Sequence, residues 1–224
     1  MTSQLSPSIV CYNGSFQETA KLLNALGCRR AHIDVTAGYS IHGLFRYEMF
    51  TPKDRSHFSM PADLHIFDFR RHWDYRSLPL RQDDCAIFHV FPWVSRSKVE
   101  KALDRGFPNG IKRGISLDVQ TPLSKVVPMF PLIDVLMVMG IEIGGRGVPL
   151  NDKAVKDLCQ AKEIAASMGK TIRLVIDGGV SAKTFAQLAR IADTLVIGGL
   201  LFNSPDIAAQ WSELDRWLKE AGHE

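Results

Sequence analysis

Short apolar runs recur along the chain. They are SIVC (8–11), AHIDV (31–35), ADLHIF (62–67), CAIFHV (85–90), GISLDV (114–119), DVLMVMG (134–140), IRLVID (172–177) and TLVIGG (194–199). Each is nearly continuous in hydrophobicity and rich in β-branched residues, the pattern of parallel strands buried on both faces. Amphipathic segments separate many of them. SFQETAKLLNALG begins at a Ser15 cap, carries Glu18 three residues on and ends at Gly27, a capping box closed by a C-terminal glycine. NDKAVKDLCQAKEIAASMG opens on a capping pair and stops at Gly169, while SAKTFAQLARI and SPDIAAQWSELDRWLKEAG follow the last two runs. The regions after the second, third and fifth runs have a weaker helical pattern.

Strands alternating with helices imply βαβ units and a parallel sheet. Eight such units in 224 residues fit a closed (β/α)8 barrel, the TIM-barrel architecture. A doubly wound open sheet is the alternative, but the GxGxxG turn that its dinucleotide-binding form needs after an early strand is absent. No linker or low-complexity segment interrupts the pattern, so residues 1–224 read as one domain.

Composition narrows the function classes. With 46% hydrophobic and 23% charged residues the chain has the make-up of a soluble globular protein. A net charge of +3 with scattered basic residues gives no electrostatic case for nucleic acid, and the densest cluster, Arg70-Arg71-His72, reads as a solvated face. Cys11, Cys28, Cys85 and Cys159 lie far apart with no CxxC, as expected of reduced thiols in a cytoplasmic protein. The N-terminus shows no signal-peptide pattern. The most apolar window, Val126 to Ile141, is broken by Pro128, Pro131 and Asp134 and is too short to span a membrane.

Barrel chemistry gathers at the C-terminal strand ends. His32 and Asp34 close the second run, His65 the third and Asp177 the seventh. Residues i and i+2 of a strand share a face, so His32 and Asp34 point the same way. Two imidazoles and two carboxylates make a first shell for one divalent ion, with zinc, manganese, iron and cobalt all compatible. Buried aspartates need a cation or a hydrogen-bond network in any case, and a lone strand-end histidine is often only structural. The pairs Gly178-Gly179 and Gly198-Gly199 follow the last two strands, where this fold often binds phosphate through backbone N–H groups. GIEIGGRGVPL (140–150) reads as a glycine-rich lid, with Gly144, Gly145 and Gly147 around Arg146. A guanidinium there can grip an anionic substrate.

In order and spacing these segments resemble the ribulose-phosphate 3-epimerase family from Ser6 to Asp206. SPSIV is similar to its opening strand, HIDVTAG to H-[LIV]-D-V-M-D-G and DLHIF to D-V-H-L-M. GISLDVQTPLS is similar to G-x-x-[LI]-N-P-x-T-P, VLMVMGIEIGGRG to the strand and G-F-G-G-Q lid, VIDGGVS to V-D-G-G-V and LVIGGLLF to V-[AS]-G-S-x-[IL]-F. The resemblance implies a metal-dependent epimerase acting on a sugar phosphate, with no nucleic-acid or membrane partner, and a homo-oligomer. It implies His32, Asp34, His65 and Asp177 as metal ligands, Asp34 and Asp177 as the acid/base pair, and Ser8 and His65 against substrate.

The departures fall on the wall facing the substrate. Thr36-Ala37-Gly38 stands for M-D-G, Phe67 for a methionine, His42-Gly43 for Pro-Asn, GGRG for GFGG, and Gly199 for a serine, while Met139 remains. These changes around an intact metal and acid/base core favour another ketose phosphate, a hexulose or a shorter acid-bearing sugar, over the housekeeping pentose phosphate. Two rivals are a differently specialised phosphate-binding barrel and a non-catalytic one. No D-x-K-x-x-D accompanies Lys112, which disfavours a decarboxylase or synthase, and four retained buried ionisable groups disfavour a non-catalytic barrel.

Overall fold

The computed structural model describes residues 3–35, 52–67, 79–104, 110–145 and 147–222. Its strands are β1 (Gln4–Pro7), β2 (Ala31–Val35), β3 (Ala62–Ile66), β4 (Cys85–Val90), β5 (Lys112–Leu117), β6 (Val135–Met139), β7 (Arg173–Asp177) and β8 (Thr194–Ile197). They form one sheet in the order β1-β8-β7-β6-β5-β4-β3-β2, every pair parallel. A parallel bridge between Ser8 and His32 joins the two ends and closes the barrel. The (β/α)8 expectation therefore holds.

The helices are α1 (Phe16–Ala25), α2 (Pro52–Ser56), α3 (Arg96–Leu103), α4 (Asp152–Ser167), α5 (Phe185–Ile191), α6 (Gly199–Phe202) and α7 (Ile207–Ala221). The capping box before α1 is present: Glu18 N–H donates to Ser15 Oγ at 3.2 Å and Ser15 N–H to Glu18 Oε2 at 2.8 Å. Asn151 and Asp206 cap α4 and α7 with side-chain oxygens that accept from Lys153 N–H and Ala209 N–H. Gly27 and Gly169 end α1 and α4 at φ +68° and +64°, a region costly for other residues. After β5 the chain makes two short 3-10 turns, Leu123–Lys125 and Val127–Leu132. Pro122, Pro128 and Pro131 remove the N–H donors that an α-helix would need there.

The first strand differs from expectation. The apolar run 8–11 is not a strand: β1 lies just before it, and Ile9–Cys11 forms a 3-10 turn. Ser8 N–H makes the last ladder bond, to Ile197 O at 2.9 Å, and Cys11 N–H then turns back to Ser8 O at 3.1 Å. Ile9 is buried in either conformation, and burial alone does not separate a short strand from a buried turn.

Strand alternation sorts the core into two layers. Cys85, Ile87, Val135, Met137, Met139, Val175 and Val196 pack together as the barrel interior. Their neighbours, among them Phe88, Leu136, Ile176 and Leu195, pack outward with helix residues such as Leu158, Leu188 and Leu214. The opposite end from the C-terminal rim is held by charge. Arg173 grips the fully buried Asp63 with two bonds, Nη1 to Oδ2 at 3.0 Å and Nη2 to Oδ1 at 2.7 Å, and Arg30 adds a third at 2.9 Å. Burial opposes ionisation of Asp63, but Arg173 and Arg30 outweigh it and hold the carboxyl below its ordinary range. Among the described residues no helix is long and apolar enough to cross a membrane, and none of the four cysteines is paired in a disulfide.

Candidate metal centre and cleft

His32 and Asp34 lie on the interior face of β2, His65 on β3 and Asp177 at the end of β7. The pairing of β2 with β3 sets Asp34 beside His65. One ligand atom from each of the four lies within 4.8 Å of all the others. His32 Nε2 is 3.1 Å from Asp34 Oδ1 and 3.6 Å from Asp177 Oδ2. His65 Nδ1 is 3.2 Å from Asp34 Oδ1 and 3.7 Å from Asp177 Oδ2. Both histidines are fully buried.

His65 Nδ1 is the test of what this cluster can hold. It is a buried nitrogen with no hydrogen-bond partner, close to two carboxylate oxygens but not aligned with them. An unpartnered buried polar atom is costly. Two nitrogen and two oxygen donors converging on one point match the shell of a divalent transition metal, so the residues fit such an ion.

The four groups differ in acidity. Burial disfavours the charged form of His32, but Asp177 and Asp34 overcome it and raise its pKa to about 9. Burial, with His89 and His32 nearby, holds His65 down at about 4 against the pull of Asp34. Burial also opposes ionisation of Asp34, but the adjacent His32 and His65 keep its carboxyl well below the usual range. Asp177 is pushed the other way by burial and by Asp34, against His32.

A cleft of about 1130 Å³ opens above the cluster. Ser8, Asp34 and Asp177 line it, together with Gly144, Gly145, Gly147, Gly178, Gly179, Gly198 and Gly199. The two histidines lie behind the carboxylates. Gly178 and Gly179 have φ of +87° and +74°, and a Cβ on Gly179 would stand 2.9 Å from Leu150 Cα. The loop after β7 thus packs tightly on the segment leading into α4. Gly140 N–H donates to Asp177 O at 2.7 Å and fixes that carboxylate's main chain.

Phe67, at the methionine position of the resembling family, lines the cleft and lies against His65 with ring centroids 4.1 Å apart. Met139 lines it too, paired in register with Asp177. Arg146, Thr36-Ala37-Gly38 and His42-Gly43 lie outside the described residues.

The sequence reading passed over three residues. Lys183 lines the cleft after the Gly178-Gly179 pair. His89 follows Cys85 and Ile87 at strand period two, and Asp118 follows β5. His65 Nε2 and His89 Nδ1 are 2.9 Å apart, and His89 Nε2 and Asp118 Oδ2 are 3.3 Å apart. Period two alone placed His89 inside the barrel, but its contact with His65 comes from register, which the sequence does not display.

An eight-stranded barrel with a two-histidine, two-aspartate cluster under a glycine-lined cleft at its C-terminal rim defines the class of protein. A profile of the ribulose-phosphate 3 epimerase family matches residues 4–202, and the chain belongs to that family. Ribulose-phosphate 3-epimerase of Treponema pallidum (strain Nichols) is 26% identical over 201 residues, covering 89% of this chain and 91% of that one. Ribulose-phosphate 3-epimerase of Escherichia coli (strain K12) is 26% identical over 210 residues, covering 93% and 92%. Two solved structures share the fold at low identity. KGPDC from Streptococcus mutans has a TM-score of 0.65 at 13% identity over 99% of each chain. 3-Hexulose-6-phosphate synthase from Salmonella typhimurium has a TM-score of 0.61 at 11% identity, over 97% of this chain and 99% of that one.

Proposed function

We propose that this protein is a metal-dependent epimerase that inverts the carbon beside the ketone of a ketose phosphate. The observation that carries the reading is the convergence of Asp34 and Asp177 with two buried histidines beneath one cleft. The family named above supports the reaction class.

Inverting such a carbon requires loss of one proton and return of another to the opposite face. Asp34 and Asp177 stand on β2 and β7, which β1 and β8 separate around the closed barrel, so they approach a bound sugar from two sides. One carboxylate takes the proton and the other, in its acid form, returns one to the opposite face, each a contribution of about 10²–10⁴-fold in rate. His32, Asp34, His65 and Asp177 would hold one divalent ion, which supplies a Lewis acid for the substrate's oxygens.

The glycine pairs after β7 and β8 would offer backbone N–H groups to the phosphate, with Lys183 as a cation in the same cleft. Ser8 and the glycines 144, 145 and 147 would meet the sugar, whereas His65, fully buried behind the carboxylates, would serve as a ligand alone and not meet the substrate as the resemblance implies. Phe67 beside His65 supports a substrate other than the common pentose phosphate, because a ring replaces a flexible thioether on that wall. The test is to strip the protein with chelator, reload it with a divalent ion, and follow epimer formation across a panel of pentulose and hexulose phosphates. Metal-restored epimerisation of one member is expected; a metal-loaded protein inert towards all of them would reject the reading.

A further inference from the structure

We propose that His89 and Asp118 are positioning residues, a buried hydrogen-bonded chain that fixes the tautomer of His65 and so bares its Nδ1 for a metal ion. The inference rests on the metal-site reading above and adds two residues to it.

Hydrogen-bond direction carries the argument. Asp118 Oδ2 lies 3.3 Å from His89 Nε2, and its Oδ1 accepts from Gln120 N–H at 2.9 Å. An ionised carboxylate can only accept, so the proton between them belongs to His89 Nε2. A neutral imidazole carries one N–H, which leaves His89 Nδ1 with a lone pair. That lone pair lies 2.9 Å from His65 Nε2, so His65 Nε2 is the donor. His65 then carries its single proton on the side away from the cluster, and Nδ1 is bare. This is the same atom that is buried without a hydrogen-bond partner. A bare Nδ1 only 3.2 Å from Asp34 Oδ1 sets two electron-rich atoms against each other. A cation between them removes that conflict.

Packing holds the chain in place. His89 is fully buried, with Phe67 stacked 5.1 Å from its ring and Phe91 4.3 Å away on the other contact. Burial works against the Asp118 charge, but the bonds from His89 and Gln120 outweigh it and keep its carboxyl below the ordinary range. Such outer partners orient a ligating imidazole and raise its basicity, and their loss costs about 10–100-fold in metal affinity.

Two measurements test the proposal. The first is ¹⁵N NMR of the metal-free protein with labelled histidine, which reads the tautomer directly. His65 is expected as the Nε2–H form with unprotonated Nδ1 in the wild type, and as a tautomer mixture in Asp118→Ala. An Nδ1–H form in the wild type, or a spectrum unmoved by Asp118→Ala, overturns the proposal. The second is Co²⁺ affinity by chelator competition, with the d–d absorption band as a second readout. Asp118→Ala should bind about 10–100-fold more weakly. Asp118→Asn should recover only part of this, because its single amide oxygen can accept from His89 Nε2 or from Gln120 N–H but not from both. Equal affinity of wild type and Asp118→Ala counts against the chain. A merely structural role would lower the thermal midpoint of Asp118→Ala without moving the tautomer. If the wild type itself binds no Co²⁺, the metal-site reading fails, and the tautomer spectrum still decides whether the chain exists.

Discussion

His32 of β2 and Asp177 of β7 come from distant parts of the chain and meet with Nε2 and Oδ2 3.6 Å apart. The meeting depends on barrel closure. Ser8 bridges to His32 on one side and continues β1, which pairs with β8 and through it with β7 on the other. The element that closes the fold therefore also assembles the candidate centre.

Asp34→Asn and Asp177→Asn should each lower turnover by at least about 10²-fold, the scale of a lost general acid or base. Both are proposed ligands as well, so metal content must be measured on each variant. Loss of turnover with metal retained assigns the effect to proton transfer.

Removing divalent metal should lower the thermal midpoint, because the two carboxylates and the unpartnered His65 Nδ1 then face one another with only His32 to offset them. Adding back an ion at about 100 times its dissociation constant should restore about 2.7 kcal/mol. Calorimetry of stripped and reloaded protein checks this. Asp34→Asn should show a smaller shift.

Asp63 should make the fold acid-sensitive. Its folded pKa lies below its unfolded value of about 3.9, so its contribution is fully present above that pH. The contribution is lost as pH falls below about 4 and through the lower folded value. Asp63→Asn leaves Arg173 and Arg30 without their shared partner, and should cost about 3–5 kcal/mol at neutral pH. The variant's stability should also vary less with pH below about 4. Urea titrations at several pH values measure both effects.

Arg55 is a structural counterpart. It is 2% exposed, and it bonds Asp84 at 2.9 and 2.5 Å as well as the carbonyls of Phe58 and Met60. Arg55→Ala would strand a buried carboxylate that also anchors the Ala62 and Arg81 amides, at a cost of about 3–5 kcal/mol. The candidate centre holds none of these atoms, so metal affinity of the folded fraction should be unchanged.

Much of this architecture is legible in the sequence because its strands are buried on both faces. AHIDV and CAIFHV coincide with β2 and β4 to the residue. The capping box at Ser15 and Glu18 and the stop at Gly169 are local signals, and local signals survive folding. The run 8–11 is where the reading failed, because Ile9 is equally buried in a turn. His32, Asp34, His65 and Asp177 stood out as polar interruptions of apolar strands. His89 interrupts its strand in the same way, but its role depends on the alignment of β3 with β4 and β5, and Asp118 lies beyond its strand's end. Inter-strand register leaves no trace in residue spacing.

The most direct test of the central claim is deuterium incorporation from D₂O, followed by NMR on the ketose phosphate that the metal-loaded protein turns over. The account predicts one solvent deuterium at the carbon beside the ketone of the epimer, incorporated only with divalent metal present. It also predicts near-complete loss of that exchange in metal-loaded Asp177→Asn. Epimer formed without solvent deuterium, or near-normal exchange in that variant, would contradict proton transfer by the two carboxylates.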